Sequence, residues 1–151
     1  MADEPIYLLL ADDDDDDRLL FEEALKELPL SAHLTMVNDG EELMVYLNKR
    51  GTPLPLVIFL DLNIAKKNGI ECLHEIKNSK KLKHLPVIMY STSAEFDIVN
   101  LVYKNGAQHY IRKPSEYYQL KKVIYHALAI IMINKEITQP LRENFVITGD
   151  Y

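Results

Sequence analysis

Two adjacent carboxylates, Asp12 and Asp13, follow the apolar run Ile6-Tyr7-Leu8-Leu9-Leu10 and open a row of six aspartates in "ADDDDDDRLL". Polar residues close three later apolar runs in the same way: Asp61 in "LVIFLDL", Ser91-Thr92 after "VIMY", and Lys113-Pro114 after "QHYIR". Clustered carboxylates repel one another and take up protons unless a cation neutralises them. With oxygen donors and no paired His or Cys nearby, a hard ion is favoured. Two or three carboxylates suit Mg2+ retaining several waters better than a dedicated Ca2+ cage. A lysine and a hydroxyl opposite such an ion would suit a phosphoryl group. One carboxylate could then act as nucleophile and form an aspartyl phosphate.

These residues meet only if the elements carrying them end on one rim. Five β-type runs are read at Ile6–Ala11, His33–Asn38, Leu56–Leu62, Val87–Ser91 and Gln108–Arg112. Three of them are almost continuously apolar, as strands covered on both faces of a parallel sheet are. Helical spacing fills the gaps at Asp17–Leu28, Glu41–Asn48, from Asn68-Gly69 onward, Ser93–Asn105 and Ser115–Ile133. Ser93 is the expected N-cap of the fourth helix and Gly106 its stop. The alternation predicts a (βα)5 α/β domain on a parallel sheet. Ligands bind beyond the carboxyl ends of such strands, and there Asp12, Asp13, Asp61, Ser91, Thr92 and Lys113 would converge. Asp14 to Asp17 fall in the first helical turn, where acids favour the positive end of the helix dipole, and read as caps and solvated charge.

Composition narrows the function classes. A chain of 151 residues suits one domain, and a net charge of -6 argues against a general nucleic-acid or membrane-surface binder. The single cysteine, Cys72, cannot form an internal disulfide, and the acidic start "MADEP" is unlike a signal peptide. The longest apolar run, Ala127 to Ile133, is far short of the ~20 residues of a membrane helix, so a cytoplasmic protein is expected. The five histidines show no metal spacing.

The motifs "LLLADDD", "VIFLDLNIAKKNGIECL", "LPVIMYSTSA" and "NGAQHYIRKP", in this order and spacing, resemble the receiver domains of two-component response regulators from about Ile6 to Ile133. The resemblance implies a flavodoxin-like doubly wound domain over residues 1–133, five parallel strands in the order 2-1-3-4-5 with helices on both faces. A tail, 134–151, would follow without an output domain or a clear element. It implies Asp61 as phosphoacceptor and Asp13 as a direct Mg2+ ligand, with Asp12 acting directly or through a water and Asn63 giving its backbone carbonyl. Ser91 and Lys113 would each hold a phosphoryl oxygen, and Tyr110 would be the switch aromatic that turns inward as Ser91 moves. A cis Lys113–Pro114 bond would help aim the lysine.

Ala65 stands where the family usually has proline, which would loosen the loop after Asp61. Thr92 follows Ser91 where a smaller residue is common, which would restrict access to the phosphoryl group. The phosphodonor would be a sensor histidine kinase or histidine phosphotransfer protein. The chain would be a phosphoacceptor assisting its own phosphorylation and dephosphorylation, not an enzyme acting on other substrates. Excess apolar residues on the fourth and fifth helices read as burial or as a partner face. In receivers the face of the fourth helix, fifth strand and fifth helix serves a downstream protein or a second copy. A degenerate receiver that only binds proteins and an aspartate-nucleophile phosphatase are competing readings, as is a flavin or nucleotide binder of the same fold, for which no glycine-rich phosphate loop follows the first strand.

Overall fold

The computed structural model describes residues 4–134 and 138–148. The strands are β1 (Ile6–Ala11), β2 (Ala32–Val37), β3 (Val57–Leu60), β4 (Val87–Ser91), β5 (His109–Arg112) and β6 (Val146–Ile147). The helices are α1 (Asp15–Lys26), α2 (Gly40–Asn48), α3 (Gly69–Lys77), α4 (Phe96–Lys104) and α5 (Tyr117–Ile133). All strand pairs are parallel, in the order β2-β1-β3-β4-β5-β6. The order reverses between β1 and β3, the place where sheets of this kind bind ligands beyond the carboxyl ends of their strands.

Side chains on a strand alternate between faces, and the two cores follow that alternation. Leu8 and Leu10 of β1, Val57 and Phe59 of β3, Ile88 and Tyr90 of β4, and Ile111 of β5 pack with α1 and α5. Leu9 and Ala11, Ile58 and Leu60, Val87 and Met89, and Tyr110 pack on the other face with α2, α3 and α4. Both faces being covered explains why these strands read as unbroken apolar runs.

Local chemistry sets the element ends. Asp14 caps α1, its side chain accepting from the Asp17 N–H, so this helix starts two residues before the expected Asp17. Asn68 caps α3 through the Glu71 N–H. Gly106 (φ 95°) closes α4: its N–H donates to the Tyr103 carbonyl at 3.1 Å, and the Ala107 N–H to Val102 at 3.0 Å. At the other end of α4 the expectation fails. Ser93 is not its N-cap; the helix begins at Phe96 after Glu95, which makes no side-chain cap bond. The Ser93 backbone is committed elsewhere, its N–H to Ser91 Oγ (3.3 Å) and its carbonyl to the Tyr110 hydroxyl.

The tail also differs from expectation, since residues 138–148 carry a 3-10 turn (Arg142–Asn144) and β6, which extends the sheet beside β5. Phe145 is fully buried against Tyr103, His109 and Tyr110. Arg142 Nε donates to Asn100 Oδ1 at 2.6 Å, and Gln139 Nε2 donates to the Tyr103 and Ala107 carbonyls, each at 2.7 Å. A two-residue strand has no period to detect along the chain.

His109 gives this docking a pH dependence. It is buried, and its Nδ1 lies 3.0 Å from the Phe145 carbonyl, so the neutral ring donates Nδ1–H. Burial holds its pKa below the usual 6.5, outweighing the opposite pull of that carbonyl. The unfolded chain therefore binds this proton first as pH falls, and the stability held by neutral His109 is lost below about 6.5. Urea-unfolding free energy should fall from pH 7 to pH 5, and His109→Gln should flatten part of that slope. An unchanged slope in the variant would refute this role.

Candidate functional site

Register alone puts the acids together. Ala11 pairs with Leu60, and the Asp61 N–H donates to the Ala11 carbonyl at 2.9 Å, so Asp12 and Asp61 leave neighbouring strands at one level. Ser91 pairs with Arg112, and the Lys113 N–H donates to the Ser91 carbonyl at 2.7 Å, which brings Lys113 to the same rim. Carrying the alternation one step past the strands sends Asp12, Asp61 and Lys113 toward the α1/α5 side, and Ser91 toward the α2–α4 side with Tyr110. Asp12, Asp13 and Asp61 offer carboxylate oxygens within 4.8 Å of one another, a group that could hold a metal ion.

Lys113 neutralises part of this charge. Its Nζ lies 2.9 Å from Asp12 Oδ2, 2.9 Å from Asp17 Oδ2 and 3.4 Å from Asp61 Oδ2, and 4.9 Å from the centre of the Tyr90 ring. Burial works against the ammonium, but its bonds to Asp12 and Asp17 and the Asp61 charge raise its pKa above the ordinary lysine value. Asp12 is fully buried, and burial pushes its carboxyl up to about 6. Lys113 and the Asp14 N–H, 3.0 Å from Asp12 Oδ1, oppose that rise, and Asp61 adds to it. Arg18 fixes the Asp12 backbone, its guanidinium donating to the Asp12 carbonyl at 2.7 Å.

The loop after Asp61 is held from several sides. The Asn63 N–H donates to Asp61 Oδ1 at 3.1 Å. Gly69 lets α3 approach: a Cβ there would lie 2.5 Å from the Asp61 carbonyl oxygen, closer than real contacts allow. The Ala65 carbonyl accepts from Gly40 N–H (3.1 Å) and Lys67 N–H (2.9 Å), which ties this loop to the start of α2. Lys66 beside it takes a left-handed backbone (φ 68°).

On the other side of the sheet Ser91 is buried, and Tyr110 is fully buried with its hydroxyl donating to the Ser93 carbonyl. Tyr110 therefore already points inward. Thr92 is exposed at the rim. The structure thus brings Asp12, Asp13, Asp61 and Lys113 into one group, with Ser91 and Asn63 on the adjoining strand end and loop.

Two sequence expectations are corrected here. The Lys113–Pro114 bond is trans. An X–Pro bond prefers trans by about 0.5–1 kcal/mol, and the lysine is aimed instead by the strand register and its carboxylate contacts. Asp17 is not simply a solvated cap; its carboxylate holds Lys113. The signal was available in part. Lys113 shares a parity with Ile111, which faces α1, and the first turn of α1 is acidic. Which acid reaches the lysine depends on where that helix starts and how it packs.

A doubly wound parallel sheet with an acid group and a lysine on its carboxyl rim defines a class. The family model of the response regulator receiver domain matches residues 8–125, and the chain belongs to that family of two-component signalling modules. Among its relatives, response regulator Rcp1 of Synechocystis sp. is 35% identical over 131 residues, covering 82% of this chain and 89% of Rcp1. The probable methanogenesis regulatory protein FilR2 of Methanothrix harundinacea is 30% identical over 126 residues, covering 82% and 81%. The phosphorylated cyanobacterial phytochrome response regulator RcpA superposes with a TM-score of 0.80 at 31% identity, covering 91% of this chain and 99% of RcpA. The Mn2+-bound form of Rcp1 gives 0.76 at 32%, covering 90% and 99%. No helix among the described residues is long and apolar enough to cross a membrane.

Removing the ammonium leaves a buried carboxylate uncompensated. Lys113→Met should cost about 3–5 kcal/mol in urea unfolding at pH 8 with EDTA present. Asp12→Asn should do the reverse. A carboxyl whose pKa is raised on folding loses stability as pH rises from 3.8 through about 6, so the amide should stabilise by about 1–3 kcal/mol at pH 8. That gain should shrink toward pH 4. Destabilisation by Asp12→Asn at pH 8 would overturn this account.

Proposed function

We propose that this chain is a phosphoacceptor, with Asp61 as the nucleophile and a divalent cation, Mg2+ in the cell, held by Asp12, Asp13, Asp61 and the Asn63 backbone carbonyl. The observation that carries it is the three-carboxylate group with Lys113 Nζ 3.4 Å from Asp61. The donors fit the ion, being hard oxygens from three acids, one of them with a pKa raised by its burial and, to a lesser degree, by the Asp61 charge. When bound, the cation supplies positive charge for the carboxylates and the phosphoryl oxygens.

The residues then divide the work. An oxygen of Asp61 attacks the phosphorus of a phosphohistidine; the O–P bond forms as the P–N bond breaks, and the imidazole leaves on the donor. Lys113 pairs with one phosphoryl oxygen and Ser91 donates its hydroxyl to another. Water later hydrolyses the acyl phosphate and restores the carboxylate. Movement of Ser91 would release its bond from the Ser93 N–H, and through the Ser93 carbonyl it would reach Tyr110, the switch residue.

The donor is a sensor histidine kinase or a histidine phosphotransfer protein, which sets the chain in the cytoplasm with its phosphodonor. The downstream partner, a protein or a second copy, meets the face of α4, β5 and α5. Residues 138–148 lie over α4 and β5, so that surface includes the tail's own side chains.

Incubation with Mg2+ and acetyl phosphate should add one phosphoryl group, seen by intact mass, labile to hydroxylamine and absent in Asp61→Asn. No gain, with no beryllofluoride binding, would instead indicate a module that only binds proteins. Rapid turnover of small phosphate esters would indicate a phosphatase.

A further inference from the structure

We propose that Asp17 is a positioning residue that gives the Lys113 ammonium a second anchor, so that Asp12 can turn an oxygen to the cation without expelling the lysine. This rests on the cation-binding reading above. Both Asp12 oxygens are in use: Oδ1 accepts from the Asp14 N–H at 3.0 Å and Oδ2 from Lys113 at 2.9 Å. An ion shared by Asp12, Asp13 and Asp61 would lie beside the ammonium, a like charge, on the same Asp12 and Asp61 carboxylates and repel it. The lysine cannot withdraw to water freely, because its side chain is 8% exposed and lies over Tyr90. It needs a protein anion beside it.

Asp17 is placed for that task. It is the third residue of α1, and its Oδ2 lies 2.9 Å from Nζ, as near as Asp12 Oδ2. It stands outside the three-acid group, so its carboxylate is not shared with the ion. Its side chain is 34% exposed, so water helps to carry its charge, whereas Asp12 has none of that help. Asp14 and Asp15 are engaged in the cap and with Arg18.

The loss of this anchor has a readable consequence. With Asp17→Asn the ammonium depends on Asp12 and Asp61 alone, and Mn2+ or Mg2+ affinity by calorimetric titration should fall about tenfold. The NMR signals of the Lys113 side chain in metal-free protein should shift at the same time. Asp17→Glu should recover most of the affinity. In a Lys113→Met background there is no ammonium to hold, and Asp17→Asn should then change affinity little.

Each outcome decides. Equal affinity of wild type and Asp17→Asn overturns the proposal. An equal loss with and without Lys113 also overturns it, since Asp17 would then act only as general negative charge. Should Lys113→Met fail to fold by circular dichroism, recovery by Asp17→Glu together with the Lys113 signals supports the proposal, and absence of both refutes it. A wild type that binds no cation removes the underlying site reading as well, which separates the two failures.

Discussion

Repulsion between Asp12, Asp13 and Asp61 is the constraint around which this end of the molecule is organised. Parallel pairing of β1 and β3 forces Asp12 and Asp61 to one level, and burial denies Asp12 the water that would screen its charge. The fold keeps this charge by aiming Lys113 into it, yet one ammonium serves several carboxylates and Asp12 stays hard to ionise. The residual demand for positive charge is what makes the rim a site. On the phosphoacceptor reading proposed above, the stability lost locally is exchanged for affinity toward a cation and a phosphoryl group.

The sheet separates two tasks by its two faces. Charge handling falls on the α1/α5 side, where Lys113 meets Asp12, Asp17 and the Tyr90 ring. The opposite side holds Ser91, the Ser93 backbone and Tyr110, linked by hydrogen bonds and packed on to Phe145 of the tail. The contacts from Ser91 through Ser93 and Tyr110 to Phe145 thus form a contiguous route toward α4 and β5. That route is spatial contiguity; coupling along it depends on two discrete arrangements of Tyr110 and its neighbours.

Much of this was legible because the relevant signals are local. Apolar runs ending in polar residues marked β1, β3, β4 and β5, and the strand-end rule grouped Asp12, Asp13, Asp61, Ser91, Thr92 and Lys113. The start of α3 at Asn68-Gly69 and Gly106 as a stop need only their own neighbours. Ser93 misled because a serine before a helical pattern reads as a cap, while here its backbone is claimed by Ser91 and by Tyr110, a residue distant in sequence. The tail misled because β6 is a strand only by virtue of the β5 edge it pairs with.

By itself the sequence determined the family, the parallel α/β core and which residue types end its strands, because periodicity and strand-end chemistry are written residue by residue. Tertiary structure decided how the six aspartates divide. Asp12, Asp13 and Asp17 all reach the site, though only the first two follow directly from the strand. Asp17 joins because α1 begins at Asp15 and packs beside α5, which sets its carboxylate against a lysine 96 residues later in the chain. Such a contact depends on the packing of two elements, and spacing along the chain cannot encode it.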